Sequence, residues 1–249
     1  MKRLINTILA ILISVASFAQ ADLLQKANEY YTKLEYQKAI DGYNQILKTN
    51  MESPEVYFNL GNAYYKTGQY TLAILNYERA KLLRPDDADI AFNLQVANQH
   101  VVDSIQELPG LFIVRWWNSL INSRATDTWA WYSIAAFLLF LVMMGFYFFS
   151  NTSEIRRITF WTGSILIVLT LFFWSFAAQQ KSRLVNHKFA IVMQPTVTVK
   201  SSPSEKGTNL FVIHEGLKVK ITDKLGDWVE IMLSDGNKGW LPTETVERI

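Results

Sequence analysis

A chain of 249 residues without a single Cys has no disulfide, no thiolate nucleophile, no Cys-ligated zinc and no iron–sulfur cluster. Its three histidines, His100, His187 and His214, are too scattered for a familiar metal motif. No paired base and nucleophile and no acidic dyad stands out, so the chain reads as a binding protein with no cofactor rather than an enzyme. Hydrogen-bonding and aromatic side chains at fixed spacing do stand out. Asn28 and Asn62 are 34 residues apart, and so are Tyr31 and Tyr65. An Asn amide carries both a donor and an acceptor and can pair with the backbone of an extended peptide. Near the C-terminus Trp228 and Trp240 offer an aromatic platform for a ligand.

These groups must be positioned by a chain that is 50% apolar and 14% aromatic but only 18% charged. The usual charged fraction is about 25%. That composition excludes a disordered chain and points to membrane segments. With 24 Lys and Arg against 22 Asp and Glu, the net charge is +2, and no concentrated basic face marks a nucleic-acid binder.

The start, Met1-Lys2-Arg3 followed by apolar Leu4 to Ile13 and small residues to Ala19, describes a secretory signal peptide over residues 1–19. Ser17 and Ala19 fit a cut before Gln20; Ala19 and Ala21 fit one before Asp22. An uncleaved anchor is the alternative, and in either case Asp22 onward is exported.

Two more apolar runs are expected to span a bilayer, over residues 128–150 and 158–180. Trp129 and Trp131 mark one end of the first, and Trp161 and Trp174 bracket the second, as interfacial aromatics do. The loop 151–157, with Arg156 and Arg157, is expected to be cytoplasmic. A signal peptide and two spans leave both soluble regions on the exported face of the inner membrane. Neither span carries Asp, Glu, Lys, Arg or His, which argues against a pump or transporter. The connector 109–127 contains Leu111 to Ile121, too short to span. It suits an amphipathic helix at the lipid interface, the alternative being a connector packed on the repeats.

Sliding residues 20–53 over 54–87 aligns seven identities, among them Tyr30 with Tyr64, Ala39 with Ala73 and Tyr43 with Tyr77. The second copy has Tyr57, Leu60, Gly61, Tyr64, Ala73, Tyr77, Ala80 and Pro85 at the spacing of the tetratricopeptide repeat, which this region resembles. Gly61 and Ala73 are small because two helices cross closely there. The first copy is degenerate, with Lys26-Ala27 for Leu-Gly. A capping helix is expected over 88–102, because a solenoid must cover its last apolar face. The resemblance, over residues 20–108, places Asn28, Tyr31, Asn62, Tyr65 and Lys66 on a concave peptide-binding groove, with Gln99 or His100 on the cap. Residues 22–108 hold twelve acids and eight bases, a net −4. The carboxylate-clamp pattern of chaperone-binding repeats is incomplete, which disfavours a C-terminal acidic peptide.

From residue 188 the pattern changes to short β-rich runs, several with period two, separated by turns such as Glu215-Gly216 and Asp235-Gly236-Asn237. Five or six strands in about 60 residues make a small barrel. The run of Val199-Lys200-Ser201-Ser202-Pro203, Asp227-Trp228-Val229 and Gly239-Trp240-Leu241 resembles bacterial SH3-like domains, over 188–249. Such a domain implies a binding surface around Trp228 and Trp240, with cell-wall peptide as one ligand. His214, before a turn glycine, reads as a turn residue.

The fold class expected is thus multidomain α + β: a tetratricopeptide α-solenoid, a two-helix transmembrane hairpin and a C-terminal SH3-like β-barrel. That order resembles the BatE-type proteins of the Bacteroides aerotolerance operon. The resemblance implies a scaffold in an oxidative-stress envelope complex whose partners include membrane proteins with von Willebrand A-type domains. The rival reading is a protein that senses or tethers peptidoglycan through its SH3-like domain.

Overall fold

The computed structural model describes residues 22–49, 52–105, 111–186 and 188–249. The expected signal peptide lies outside the described residues. The N-terminal region is a stack of five helices: α1 over 22–32, α2 (Tyr36–Leu47), α3 (Pro54–Lys66), α4 (Tyr70–Leu83) and α5 (Ala88–Asn98). Pro54 opens α3 directly after Ser53, at a position where a missing N–H costs nothing. Asp87 caps α5 by accepting from the N–H groups of Asp89 and Ile90 at 3.0 and 3.2 Å. The turn after α3 runs through Gly68 at φ +76°, and the equivalent turn after α1 through Leu34 at φ 63°. The degenerate first copy thus keeps the left-handed turn with a residue that resists it. The cap is shorter than expected, ending at Asn98.

Ala27, Ala39, Ile40, Tyr43, Ile46, Val56, Leu60 and Ala63 form the core of the stack. Gly61 meets the expectation of a close crossing: a Cβ there would lie 2.7 Å from the Tyr77 ring and 3.3 Å from the Ala73 carbonyl oxygen.

The C-terminal region is a seven-stranded antiparallel sheet of order β3-β2-β6-β5-β4-β1-β7. Its strands are β1 (Phe189–Val192), β2 (Thr196–Lys200), β3 (Asn209–His214), β4 (Lys218–Leu225), β5 (Trp228–Met232), β6 (Lys238–Pro242) and β7 (Val246–Arg248). Six match the β-rich runs; β7, only three residues long, has no legible alternation. Val197, Val199, Ile213, Val219, Val229, Ile231 and Leu241 alternate inward to make the core. Gly239 has to be small, since a Cβ would press on Val199.

The repeats and the barrel form one compact unit although about 80 residues separate them in sequence. The barrel docks on one face of α4. Thr71 Oγ1 donates to Glu215 at 2.8 Å, Lys218 Nζ to Glu78 at 2.6 Å, and Arg79 to Glu247 and the Arg248 carbonyl at 2.9 and 2.7 Å. Residues 71, 74, 78 and 79 share one side of a 3.6-residue helix. Ile74 lies between the polar pairs, opposite Gly216, where a Cβ would come within 3.4 Å of its Cδ1. Beyond α5 the chain runs extended, and Val101 and Ile105 pack on the barrel core. Between them Asp103 accepts from the His214 backbone N–H at 2.6 Å and faces His214 Nδ1 at 2.8 Å. His214 is therefore a docking residue at the end of β3, not simply part of a turn: its neighbour across the interface is 111 positions away.

The second compact unit contains α6 (Phe112–Ile121), α7 (Thr126–Phe149) and α8 (Ser153–Asn186). At about 1.5 Å per residue the 24 residues of α7 reach ~36 Å. Both α7 and α8 are long and apolar enough to cross a membrane, and only 6% and 17% of their apolar windows are buried. The core helix of a soluble domain would have most of that window covered. The helices pack antiparallel along their lengths: a Cβ added at Gly163 would lie 3.7 Å from Phe140 and Met143, and Ser133 Oγ donates to the Thr170 carbonyl at 3.1 Å. The turn between them is shorter than the expected loop 151–157, because α8 begins at Ser153.

Two variants test this packing. Gly61→Leu must displace the Tyr77 ring and should destabilise the repeats by about 1–3 kcal/mol, whereas Lys33→Ala on an exposed turn should leave the melting temperature unchanged. Lys218→Met leaves Glu78, 8% exposed, without its cation. Denaturant melts of the detergent-solubilised chain should show a loss of about 1–3 kcal/mol, and pairing it with Glu78→Met should recover much of it.

Candidate partner-binding groove

The first helix of each helix pair, α1, α3 and α5, lines one side of the stack. Three of these positions recur at the 34-residue spacing: Leu24, Phe58 and Phe92 in one row, Asn28, Asn62 and Val96 in the next, Tyr31 and Tyr65 in a third. Tyr31, Asn62, Tyr65 and Lys66 share a hollow of about 240 Å³ with Tyr77, Phe92, Asn93 and Val96. Four of the five residues expected at the groove are therefore brought together. Asn28 sits one repeat away, in a separate shallow dent with Leu24 and Thr32.

The amides do something that the sequence reading did not foresee. Asn28 Oδ1 accepts from the Tyr43 hydroxyl at 2.7 Å and from Asn59 Nδ2 at 3.2 Å. Asn62 Oδ1 accepts from Tyr77 at 2.8 Å and from Asn93 Nδ2 at 2.8 Å. Each Asn thus joins the second helix of its own repeat to the first helix of the next. The expectation that both halves of these amides face a ligand is corrected: the acceptor half of each holds the stack together. Asn59 and Asn93, 34 apart, form a recurring pair legible in the sequence.

Phe92 is the largest apolar residue missed by the sequence reading; it lines the hollow yet is 65% exposed. One more 34-residue step from Phe58 would have found it. Tyr31 and Tyr65 are held edge-on by Tyr36 and Tyr70 at 5.4 and 5.3 Å between ring centroids. His100, offered as a cap residue of the groove, stacks on Tyr70 at 3.6 Å and meets the edge of Tyr65. Gln99 beside it is exposed. The result is an aromatic and amide surface with Lys66 exposed at its rim, suited to an extended segment carrying an apolar side chain.

The barrel presents a second surface. Trp228 lies opposite Pro242, and Trp240 opposite Glu230 on one side and Lys200 on the other. Register partners share a face, and the intervening Val229, Ile231 and Leu241 are fully buried. Both tryptophans are therefore half-buried on the outer face, with a cation and an anion flanking Trp240.

Burial pushes the Tyr43 phenol up to about 12 and raises Tyr77 in the same direction. A phenolate cannot donate to the Asn oxygen, and its charge is costly in the core. The folded-state value lies above the unfolded value, so the contribution is complete below pH 10 and is lost as pH rises toward 12. Denaturant melts at pH 8 and pH 12 should differ by about 2 kcal/mol on account of Tyr43. Tyr43→Phe should cost about 1 kcal/mol at pH 8 and flatten the alkaline slope.

Residues 54–87 match the family described as Tetratricopeptide repeat, residues 27–68 the one described as TPR repeat, and residues 195–247 the Bacterial SH3 domain. A search of curated proteins finds no match. Among solved structures, the Sgt2 TPR domain from Aspergillus fumigatus is similar at 28% identity and a TM-score of 0.31, covering 32% of this chain. The chain spans about half, 54%, of that domain's length. The Yersinia enterocolitica type III secretion translocator chaperone SycD is 16% identical over 63% of this chain and 94% of its own, with a TM-score of 0.33. MamA is 18% identical over 66% and 92%, with a TM-score of 0.31. Tetratricopeptide repeats and a bacterial SH3 domain are both present in this chain, one on each side of two long apolar helices.

Proposed function

We propose that this chain is a non-catalytic scaffold of the bacterial cell envelope. The α7–α8 hairpin fixes it in the inner membrane, and the groove captures an extended segment of a partner protein. The observation that carries this reading is the hollow shared by Tyr31, Asn62, Tyr65 and Lys66, walled by the exposed ring of Phe92. An exposed aromatic beside fixed amides has little use in folding and fits a peptide with an apolar anchor.

The docking of the barrel on α4 supports a common side for both soluble regions. The repeats precede the hairpin and the barrel follows it, so direct contacts such as Lys218 to Glu78 require an even number of crossings. With the expected export signal, that side is the periplasm. The domain order keeps the resemblance to BatE-type proteins, and with it a place beside von Willebrand A-type membrane proteins in an aerotolerance complex. The second reading, wall sensing or tethering, is favoured by the outward Trp228 and Trp240 on the barrel; there a stem peptide of peptidoglycan would be the ligand.

A photo-crosslinking amino acid at position 92 tests the groove in intact cells. Crosslinks from 92 to an envelope protein, absent from position 33, are expected, and Phe92→Ser should reduce co-purification of that protein by about ten-fold, equivalent to ~1.4 kcal/mol. Equal recovery by Phe92→Ser and wild type would exclude the groove as the capture surface.

A further inference from the structure

The helix α6 has three sectors at 100° per residue. Trp117 and Ile121 face α8, with the Trp117 ring 5.3 Å from that of Phe176 and Ile121 fully buried. Phe112, Ile113 and Trp116 fill the adjacent sector and are 73%, 60% and 62% exposed. Arg115 and Ser119, also exposed, occupy the other flank. A ten-residue helix in water would not leave three large apolar side chains bare beside a polar flank.

The end of α6 is tied down by polar groups of α8 and α7. Gln180, 5% exposed, donates from Nε2 to the Ile121 and Arg124 carbonyls at 2.7 and 2.8 Å. It accepts from Thr126 Oγ1 at 3.0 Å. Trp129 Nε1 donates to the same Ile121 carbonyl at 2.9 Å. Arg183 forks to the amide oxygens of Asn118 and Asn122 at 2.8 and 3.0 Å. The Gln180 and Trp129 donations serve carbonyls at and beyond a helix C-terminus that would otherwise be left orphaned, and together with the Arg183 fork to the Asn side chains they fix the helix against the hairpin at the end away from the 150–152 turn. The exposed Trp131 and Trp174 lie toward the same end of the spans, where Arg124 and Lys181 also gather. Aromatic and basic residues together mark the headgroup level of a span.

We propose that α6 is a fixed interfacial helix, with the Phe112, Ile113 and Trp116 sector in the acyl chains, the Arg115 and Ser119 flank at the headgroups, and its depth set by Gln180 and Arg183. The occupant of the bare apolar sector is lipid, because Trp117 beside that sector meets the exposed Phe172 ring of α8 at 6.0 Å, where the uncovered apolar surface of the long helices begins. The inference rests on reading α7 and α8 as membrane spans. Gln180 and Arg183 are positioning residues, since they act on lipid only through α6.

The absence of Cys makes the test direct. Single spin labels are placed through Ile113→Cys, Trp116→Cys, Arg115→Cys, Ser119→Cys and Phe137→Cys in the full chain. The chain is reconstituted in nanodiscs of phosphatidylethanolamine and phosphatidylglycerol, and relaxation by a water-soluble nickel chelate is compared with relaxation by oxygen. Nickel relaxation should be lost at 113, 116 and 137 and retained at 115 and 119. Equal nickel access at 113, 116 and 119 with 137 protected would overturn the interfacial placement while leaving the spans intact. Nickel access at 137 as well would overturn the membrane reading and the inference with it. In a Gln180→Leu/Arg183→Leu background the contrast between 113 and 119 should disappear while 137 stays protected; an unchanged contrast would overturn the positioning role.

Discussion

Everything in the soluble unit depends on the way α4 is shared. Its inner side packs Ala73 and Tyr77 against Gly61, and its outer side carries the barrel. A helix used on both sides is apolar nearly all round, and Ala73, Ile74, Leu75, Tyr77 and Ala80 are all buried. Of its polar residues, Thr71, Glu78 and Arg79 are spent on the interface. A buried carboxylate is tolerable only with a partner, so Glu78 makes the barrel's Lys218 part of the repeat's own stability. The domains behave as one body because each satisfies charges that the other buries.

The same economy limits the groove. In a repeat stack the inner-face amides could serve a ligand or the scaffold. Here Asn28 and Asn62 give their oxygens to Tyr43, Asn59, Tyr77 and Asn93, which leaves the ligand with rings, amide N–H groups and the Lys66 ammonium. Each bond contributes on the order of 1 kcal/mol to the stack, and the buried phenols make that contribution sensitive to alkali. Selectivity in such a groove comes from the shape between Tyr65 and Phe92 more than from amide pairing, which favours an apolar anchor over a charged terminus.

The sequence carried the local information and lacked the pairings. Gly61, Ala73 and the 34-residue period report close helix crossing, since only small residues fit there, and strand alternation reports the barrel core. The Trp228 and Trp240 face follows from the same alternation. Docking was not legible, because Glu78, Arg79, Asp103 and His214 look like ordinary surface charges until their partners are known. Val101, Asp103 and Ile105 do alternate, but a three-step alternation after a helix is indistinguishable from a frayed cap. The role of Asn28 is not legible in the sequence for a related reason. A side chain on a concave face and one that bridges repeats occupy the same helical position, and only the geometry of Tyr43 and Asn59 separates them.

The docking also constrains what the hairpin can be. Ile105 and Phe189 belong to one folded body, so the roughly 80 residues between them must leave it and come back. Two apolar helices with a three-residue turn satisfy that, and on the proposed membrane reading a single span would leave the repeats and the barrel on opposite sides. Breaking the Lys218, Arg79 and His214 contacts to separate the modules would strand Glu78 and Asp103, at a cost exceeding what an ordinary surface contact supplies. The two surfaces proposed for binding, walled by Phe92 and by Trp240, belong to one compact unit instead of being tethered by a flexible linker. A scaffold built this way selects partners whose own spacing matches it, because mismatched spacing would have to be met by straining the α4 interface.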